Sequence, residues 1–432
     1  MDRVNTTLPS ITQISTKSAS PGAASLTSKN ITAIVRILLF LQLVFTTVTV
    51  WVRHAWAIQI FQLGIFALVA VQVVLGIFRD RDETAAGVLP FFVYLIPAWG
   101  AIQIVIHTTT SSFDTLEAVL RWGSLAGVFY LTQTITGSES SRRRFLTAFL
   151  CFATAMAILF LLQVNSSDGR ILWVFPTGYS PIYATFQNKN NYVQFVELAL
   201  PIALWGAVRG GWRSWWNAIA AGILYASAVG AASRAGFILC TAELLAVAVL
   251  GLARIRRSMG NLSSRVAVSI LFLVPVVAGS FTFAVGWEEV LARFKEEDPF
   301  AIRREFFLGA VGMIKDRPLT GYGLGTYEQV FQRYAVKDFP FYANHAHDDW
   351  AEFAAEGGIP FLLLVAIPFL AAVPTAWRHP WGLGLVANML NACVDYPFPR
   401  PAVSGWMFAL LAILHLTRRS GQKQSAGLRT KT

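Results

Sequence analysis

Residues 142–163 read RRRFLTAFLCFATAMAILFLLQ, three arginines followed by nineteen residues without a charge. A helix needs about 20 mostly apolar residues to cross a bilayer core of roughly 30 Å. Arginines crowded against one end of such a run mark that end as cytoplasmic. The stretch therefore reads as a membrane helix over 145–163 with its start inside the cell. The same pattern predicts helices near 31–51, 56–78, 86–107, 117–136, 190–208, 214–232, 235–253, 266–286, 358–376, 381–394 and 402–417. Composition agrees: 55% of the 432 residues are hydrophobic and 14% are charged, against about 25% charged in soluble domains. Mean hydropathy is +0.53. Three cysteines, Cys151, Cys240 and Cys393, sit in apolar runs, which excludes a disulfide framework and a zinc cluster.

The net charge of +11 is mostly a topology signal. Alternate connections carry Arg79 and Arg81, then Arg142, Arg143 and Arg144, then Arg209 and Arg213. The same side continues through Arg254, Arg256, Arg257 and Arg265, then Arg378, and ends with Arg418 and Arg419. Short connections on the other side hold Arg53, Arg170, Lys189, Arg234 and Arg400. Positive residues in short loops stay inside. The expected fold is an all-α polytopic membrane protein of about twelve transmembrane helices with both termini cytoplasmic. Its predicted organisation is a disordered tail over 1–30, helices one to nine over 31–286, an outer segment over 287–357, helices ten to twelve over 358–417, and a basic tail over 418–432. The positive charge needs no nucleic-acid partner.

The outer segment has internal order. Phe306, Phe307, Ala310, Val311 and Ile314 recur at helical spacing. Arg317-Pro318 ends that amphipathic helix, and Gly321-Tyr322-Gly323-Leu324-Gly325 forms a flexible turn. Aromatics follow from Tyr327 through Phe331, Tyr334, Phe339, Phe341 and Tyr342. Long loops of this character are commonly functional.

Ionisable and polar residues at membrane boundaries default to a functional hypothesis, and here they gather on the outer side. Asn188, Lys189, Asn190 and Asn191 precede the sixth span, and Ser233-Arg234-Ala235-Gly236 connects the seventh to the eighth. Arg303 and Arg304 open the amphipathic helix. His345, His347, Asp348 and Asp349 precede the tenth span, and Asp395 and Arg400 flank the last outer turn. Each also has a structural reading: arginines snorkel to headgroups, asparagines cap helices, and Glu197 and Glu243 within spans pair with nearby Arg or His. The glycine-rich turn lacks the strand before it and the Lys-Ser/Thr after it that a phosphate loop has.

The cluster His345-Ala346-His347-Asp348-Asp349 leaves two chemical readings open beside a structural one. In an extended segment both imidazoles share a face and suit a divalent metal. Alternatively one His is a general base, its ordinary pKa near 6.5 fitting proton transfer at neutral pH, with Asp349 or Glu352 orienting the ring.

Four stretches together resemble the O-antigen ligase and polymerase superfamily. They are Thr185-Phe186-Gln187-Asn188-Lys189-Asn190, Ser233-Arg234-Ala235-Gly236, the run from Arg303 through Met313 to Gly325, and Asn344-His345-Ala346-His347-Asp348-Asp349-Trp350 with Glu352 and Glu356-Gly357-Gly358-Ile359. They fall in the family's order across about 180–375; the first five helices share only hydropathy. The resemblance implies transfer of a glycan from a polyprenyl (undecaprenyl) diphosphate carrier to a hydroxyl acceptor at the periplasmic face of the bacterial inner membrane. Acceptors in the superfamily are lipid A core in ligases, a carrier-linked glycan in polymerases, and protein Ser or Thr in O-oligosaccharyltransferases. It implies His347 as the essential histidine and Arg234 with Arg303 or Arg304 on the diphosphate. Asn188, Asn190, His345, Asp348, Asp349, Glu352 and Arg400 would support the site or hold acceptor and sugar. Asp348 stands where the family has Asn, Ser or Gln, and Phe361 where it has a small residue, which leaves the acceptor type open.

The chemistry suits these residue types. Breaking a sugar–phosphate bond develops charge on a leaving diphosphate, and arginine binds such oxygens through a permanently charged fork. No cofactor is expected, the arginines standing in for a metal ion, and direct displacement would invert the anomeric centre. A ligase acting on lipid A core is favoured, because the outer segment is modest and no soluble C-terminal domain follows. A secondary transporter is the alternative from a different class, but it predicts internal repeats and helices broken at the midplane, and neither is evident. A non-catalytic lipid-binding scaffold would need no His–Arg combination on one face.

Overall fold

The computed structural model describes residues 21–52, 54–77, 87–209, 214–257, 301–335, 337 and 343–429. Its helices are α1 (Pro21–Val48), α2 (Trp56–Ile77), α3 (Val88–Val105), α4 (Ser112–Ile135), α5 (Glu139–Gln163), α6 (Lys189–Val208), α7 (Ser214–Gly230) and α8 (Arg234–Arg257). After residue 300 come α9 (Ala301–Asp316), α10 (Tyr327–Phe331), α11 (Asp349–Arg378), a 3-10 turn (Pro380–Gly382), α12 (Leu383–Asn391) and α13 (Pro401–Arg429). Two short strands, β1 (Arg170–Ile171) and β2 (Phe175–Pro176), pair antiparallel between α5 and α6.

Eight helices among the described residues are long and apolar enough to cross a membrane: α1 from Asn30, α2, α3, α5, α6, α8 to Gly251, α11 and α13 to Gln422. The segment 266–286, expected as a ninth span, lies outside the described residues, as do Arg79, Arg81, Arg213, Arg265, Phe339, Phe341 and Tyr342. Of the other expected spans, α4 carries Asp114, Glu117 and Arg121 near its start, and α7 has 17 residues. The segment expected as a helix over 381–394 is a 3-10 turn followed by the nine residues of α12. At 1.5 Å per residue α12 rises about 14 Å, half a bilayer core. At the ends, α1 begins at Pro21, inside the stretch expected to be a tail, and α13 continues through Arg418 and Arg419 to Arg429.

Hydropathy and burial run in opposite directions along these helices. The spans of lowest hydropathy, α6 and α13, at 1.2 each, are 89% and 83% buried, while α2, at 2.4, is 22% buried. Helices that form the outside of the bundle need an apolar surface all round. The two central ones are surrounded by protein and can carry polar side chains there. Thus Glu197 of α6 accepts from Asn391 Nδ2 (3.0 Å) and Asn388 Nδ2 (3.3 Å) of the α12 region, and Asn391 also accepts from Gln194 Nε2 (3.2 Å). Glu197 is therefore paired, but with amides rather than with the Arg or His expected. The oxygens of Glu243 have no hydrogen-bond partner among the described residues.

The turn that follows α9 is bound to the start of α11 by backbone. Tyr322 N donates to Ala355 O (3.2 Å), Gly323 N to Glu356 O (2.8 Å) and Ile359 N to Pro318 O (2.8 Å). Gln103 of α3 reaches the same junction, donating to Thr320 O (2.7 Å) and Glu356 O (2.9 Å) and accepting from Leu324 N (3.1 Å). Two glycines make this crossing possible. At Gly321 (φ 63°) a Cβ would lie 2.2 Å from Glu356 O, and at Gly358 (φ 70°) one would lie 2.4 Å from Leu319 O. Gly358 also breaks the regular geometry of α11, so its first turns are set apart from the membrane-crossing part that follows.

Candidate active site

Asp348 caps α11, its carboxylate accepting from Ala351 N at 3.0 Å. Immediately before it, His347 adopts a left-handed backbone (φ 52°). That turn separates the two histidines. His345 Nδ1 lies 2.9 Å from Glu352 Oε1, while the other oxygen of Glu352 accepts from Ala346 N at 2.7 Å. His347 Nδ1 instead faces Asp395 Oδ1 at 3.4 Å, an ion-pair separation without the alignment of a hydrogen bond. Among the described residues no group of three or more His, Cys, Asp or Glu is placed to hold a metal ion.

Asp395 joins the elements of the site. It is 1% exposed and stands between His347 and Arg303, whose guanidinium is 3.8 Å away. Arg303 also donates to the carbonyl of Val394, which fastens α9 to the 392–400 connection. Expectation placed Asp349 or Glu352 behind the catalytic ring. The structure gives Asp395 to His347, Glu352 to His345, and Asp349 to the backbone, where it accepts from Phe398 N at 3.0 Å. Asp349 is fully buried, so it braces the loop and has no open face. Tyr396 completes the wall, with its ring 4.4 Å from His345 and 4.8 Å from His347. Phe306 stacks on the other side of His347 at 6.0 Å. Burial pushes the Asp348 carboxyl and the Tyr396 phenol above their usual pKa values.

A cavity of about 250 Å³ is lined by Arg303, Arg304, Phe307, His347, Asp348 and Val394. The helical spacing of α9 explains how both arginines and Phe307 reach it. Buried residues Phe306, Ala310 and Met313 form the packed face of α9, while Phe307, expected on that face, is 41% exposed.

The remaining motifs meet the same region through contacts. Asn188 caps α6 by accepting from Asn190 N (2.8 Å), and its Nδ2 approaches Tyr396 Oη (3.4 Å). Asn190 Oδ1 accepts from Ser233 Oγ (2.8 Å), which fixes the turn whose next residue, Arg234, begins α8. Arg400 lies over the Tyr396 ring at 5.6 Å. The N-terminal ends of α6, α8, α9, α11 and α13 thus gather at one end of the bundle. Their helix dipoles add partial positive charge to that of the arginines, against the carboxylates of Asp348, Asp349, Glu352 and Asp395.

The sequence puts Asp395 among the polar residues flanking the last outer turn and Phe306 on a helix face, without pairing either with His347, and it does not mark Tyr396. The signal is an ionisable residue inside the proline-rich connection Val394-Asp395-Tyr396-Pro397-Phe398-Pro399-Arg400-Pro401, which turns after a half-length helix.

These features define a multi-pass membrane protein with a His–Asp–Arg cluster at one end of its helices. Residues 218–366, about a third of the chain, match the family model described as O-antigen ligase. That match supports placing the chain in the O-antigen ligase/polymerase superfamily. It contains Arg234, Arg303, Arg304, His345, His347, Asp348, Asp349 and Glu352, while Asn188, Asn190, Asp395 and Arg400 lie outside it. No curated protein matches the chain.

Proposed function

We propose that the protein transfers a glycan from a polyprenyl diphosphate carrier to a hydroxyl acceptor at the periplasmic face of the bacterial inner membrane, as an O-antigen ligase acting on lipid A core. The observation that carries this reading is the cluster of His347, Asp395 and Arg303 around a cavity, built largely from the family-matching segment.

In the step proposed, the acceptor oxygen attacks the anomeric carbon as the carbon–oxygen bond to the diphosphate breaks. His347 takes the acceptor proton through Nε2, because Nδ1 faces Asp395. Asp395 holds the ring and stabilises the imidazolium formed. The diphosphate leaves with the bonding pair, and its growing charge is met by Arg303, Arg304, Arg234 and the converging helix N-termini. Phe306 and Phe307 limit water at the reacting carbon. A single displacement inverts the anomeric centre.

The test is deletion of the gene and complementation with His347→Ala or Arg303→Ala, followed by gel analysis of surface polysaccharide. Loss of ligation leaves carrier-linked chains without attachment to lipid A core, whereas loss of polymerisation leaves single attached repeats and no ladder. Wild-type glycan transfer by both variants refutes the site. A rate that follows added Mg²⁺ and vanishes with chelator supports the metal reading of the His/Asp cluster instead.

A further inference from the structure

A larger cavity, about 600 Å³, opens beside Arg400 and Asn344. It shares no lining residue with the His347 cavity. Its walls come from the α1–α2 connection, the segment before α6 and the start of α13, and they include Trp51, His54, Tyr179, Gln187, Asn344 and Arg400. Trp51 is held by Phe175 of the β-hairpin, ring centroids 4.9 Å apart. Tyr396 touches one lining residue of each cavity, with His347 4.8 Å from its ring and Arg400 5.6 Å from it. Asn344, only three residues before His347, lies in the second cavity.

The lining matches one kind of ligand. Flat aromatic rings at Trp51 and Tyr179 suit the apolar faces of pyranoses. The amides of Gln187 and Asn344 can donate to and accept from ring hydroxyls. Arg400 supplies a permanent cation with a fork that matches phosphate or carboxylate, and His54 also lines the cavity. The volume falls within the roughly 300–1,000 Å³ of small-molecule sites, room for a short saccharide. We infer that this cavity is the acceptor subsite and that it takes an acidic saccharide, with the anionic group on Arg400 and a sugar ring against Trp51. The acceptor role rests on the transfer reading above, and the acceptor hydroxyl would reach from Arg400 past the Tyr396 ring to His347, which touches that ring.

The experiment uses the full chain in lipid nanodiscs and ligand-observed saturation-transfer NMR with glucose, glucose 6-phosphate and glucuronate as probes. The acidic sugars should bind at least about tenfold more tightly than glucose, the worth of one charge-assisted contact, and comparison of the two separates phosphate from carboxylate. Arg400→Gln should remove that preference, Arg400→Lys should keep most of it, and Trp51→Ala should weaken all three probes. Equal binding of acidic and neutral sugars, or no saturable binding by any, overturns the inference, as does a preference that survives Arg400→Gln. His347→Ala should abolish transfer and keep probe binding. If wild-type protein binds acidic sugars and transfers no glycan, the transfer reading falls and the cavity remains a saccharide site. If transfer proceeds and acidic sugars neither bind nor compete, the cavity inference fails alone.

Discussion

Replacing Asp395 with Asn removes one charge while keeping shape and the Oδ1 acceptor used by Tyr396 N at 3.0 Å. The carboxylate is 3.4 Å from His347 Nδ1 and 3.8 Å from Arg303. Across 3.4 Å, a charge pair is worth about 5 kcal/mol at an effective dielectric of 20 and about 1 kcal/mol in bulk water. Asp395 is buried, but the His347 side chain is 26% exposed, so an intermediate value of about 2–3 kcal/mol is appropriate. The full interaction exists only once His347 carries the proton, so the loss falls on the transition state. That corresponds to about a hundredfold fall in kcat, with the KM for carrier-linked donor changed much less. The assay is turnover of purified protein in nanodiscs at saturating donor, with a thermal melt to confirm an intact fold. A kcat within twofold of wild type in a folded Asp395→Asn protein refutes Asp395 as the group that positions His347.

Three further outcomes follow from the structure. Gly358→Ala, at φ 70° and ψ 176° with its Cβ 2.4 Å from Leu319 O, should cost about 3 kcal/mol or more from backbone strain and the clash, read as a lowered melting temperature. Glu352→Gln weakens the clamp on His345 and Ala346 N and should lower turnover about tenfold; wild-type turnover would show that the clamp is dispensable. Asp348→Asn keeps an N-cap acceptor and removes a carboxyl whose pKa is raised by burial. A raised folded pKa favours the neutral form, so Asp348 costs stability once pH rises through that value and costs nothing below its unfolded value near 4. The variant should therefore melt at or above wild type at pH 7, with the gain vanishing toward pH 3.5; a gain that grows on acidification refutes this.

The helices were legible wherever apolar runs bordered charges. The stretch that follows Arg142–Arg144 is α5 to its last residue, and Arg317-Pro318 follows the end of α9 directly. Legibility failed where length and hydropathy decoupled from position. The segment near 381–394 is apolar enough to read as a span, but it packs on α6 inside the bundle and needs only nine helical residues. Conversely, α6 is among the least apolar spans and one of the most enclosed, because its Gln194 and Glu197 are answered by Asn388 and Asn391, nearly two hundred residues away. Hydropathy reports what a helix shows to lipid, and a central helix shows little.

The site divides along the same line. Residues within a few positions of one another could be grouped from sequence, and the capping role of Asn188 follows from a local rule that the structure repeats, while Asn190 instead accepts from Ser233. Partner choice could not be read that way. The sequence reading offers the neighbouring Asp349 or Glu352 to orient the ring, but the left-handed backbone at His347 turns its ring toward Asp395, 48 residues on. The short α12 bears on this arrangement. Asp349 N donates to Ala392 O at 2.8 Å and Trp350 Nε1 to Met389 O at 3.0 Å, so the end of α12 is tied to the start of α11. The connection beyond it then carries Asp395, Tyr396 and Arg400 across the same end of the bundle. A full-length helix in place of α12 would take up residues that this connection uses to pass the histidine loop. The half-length helix and the aspartate behind His347 are thus parts of one structural solution, and hydropathy marks only an apolar segment there, giving neither its length nor the partner beyond it.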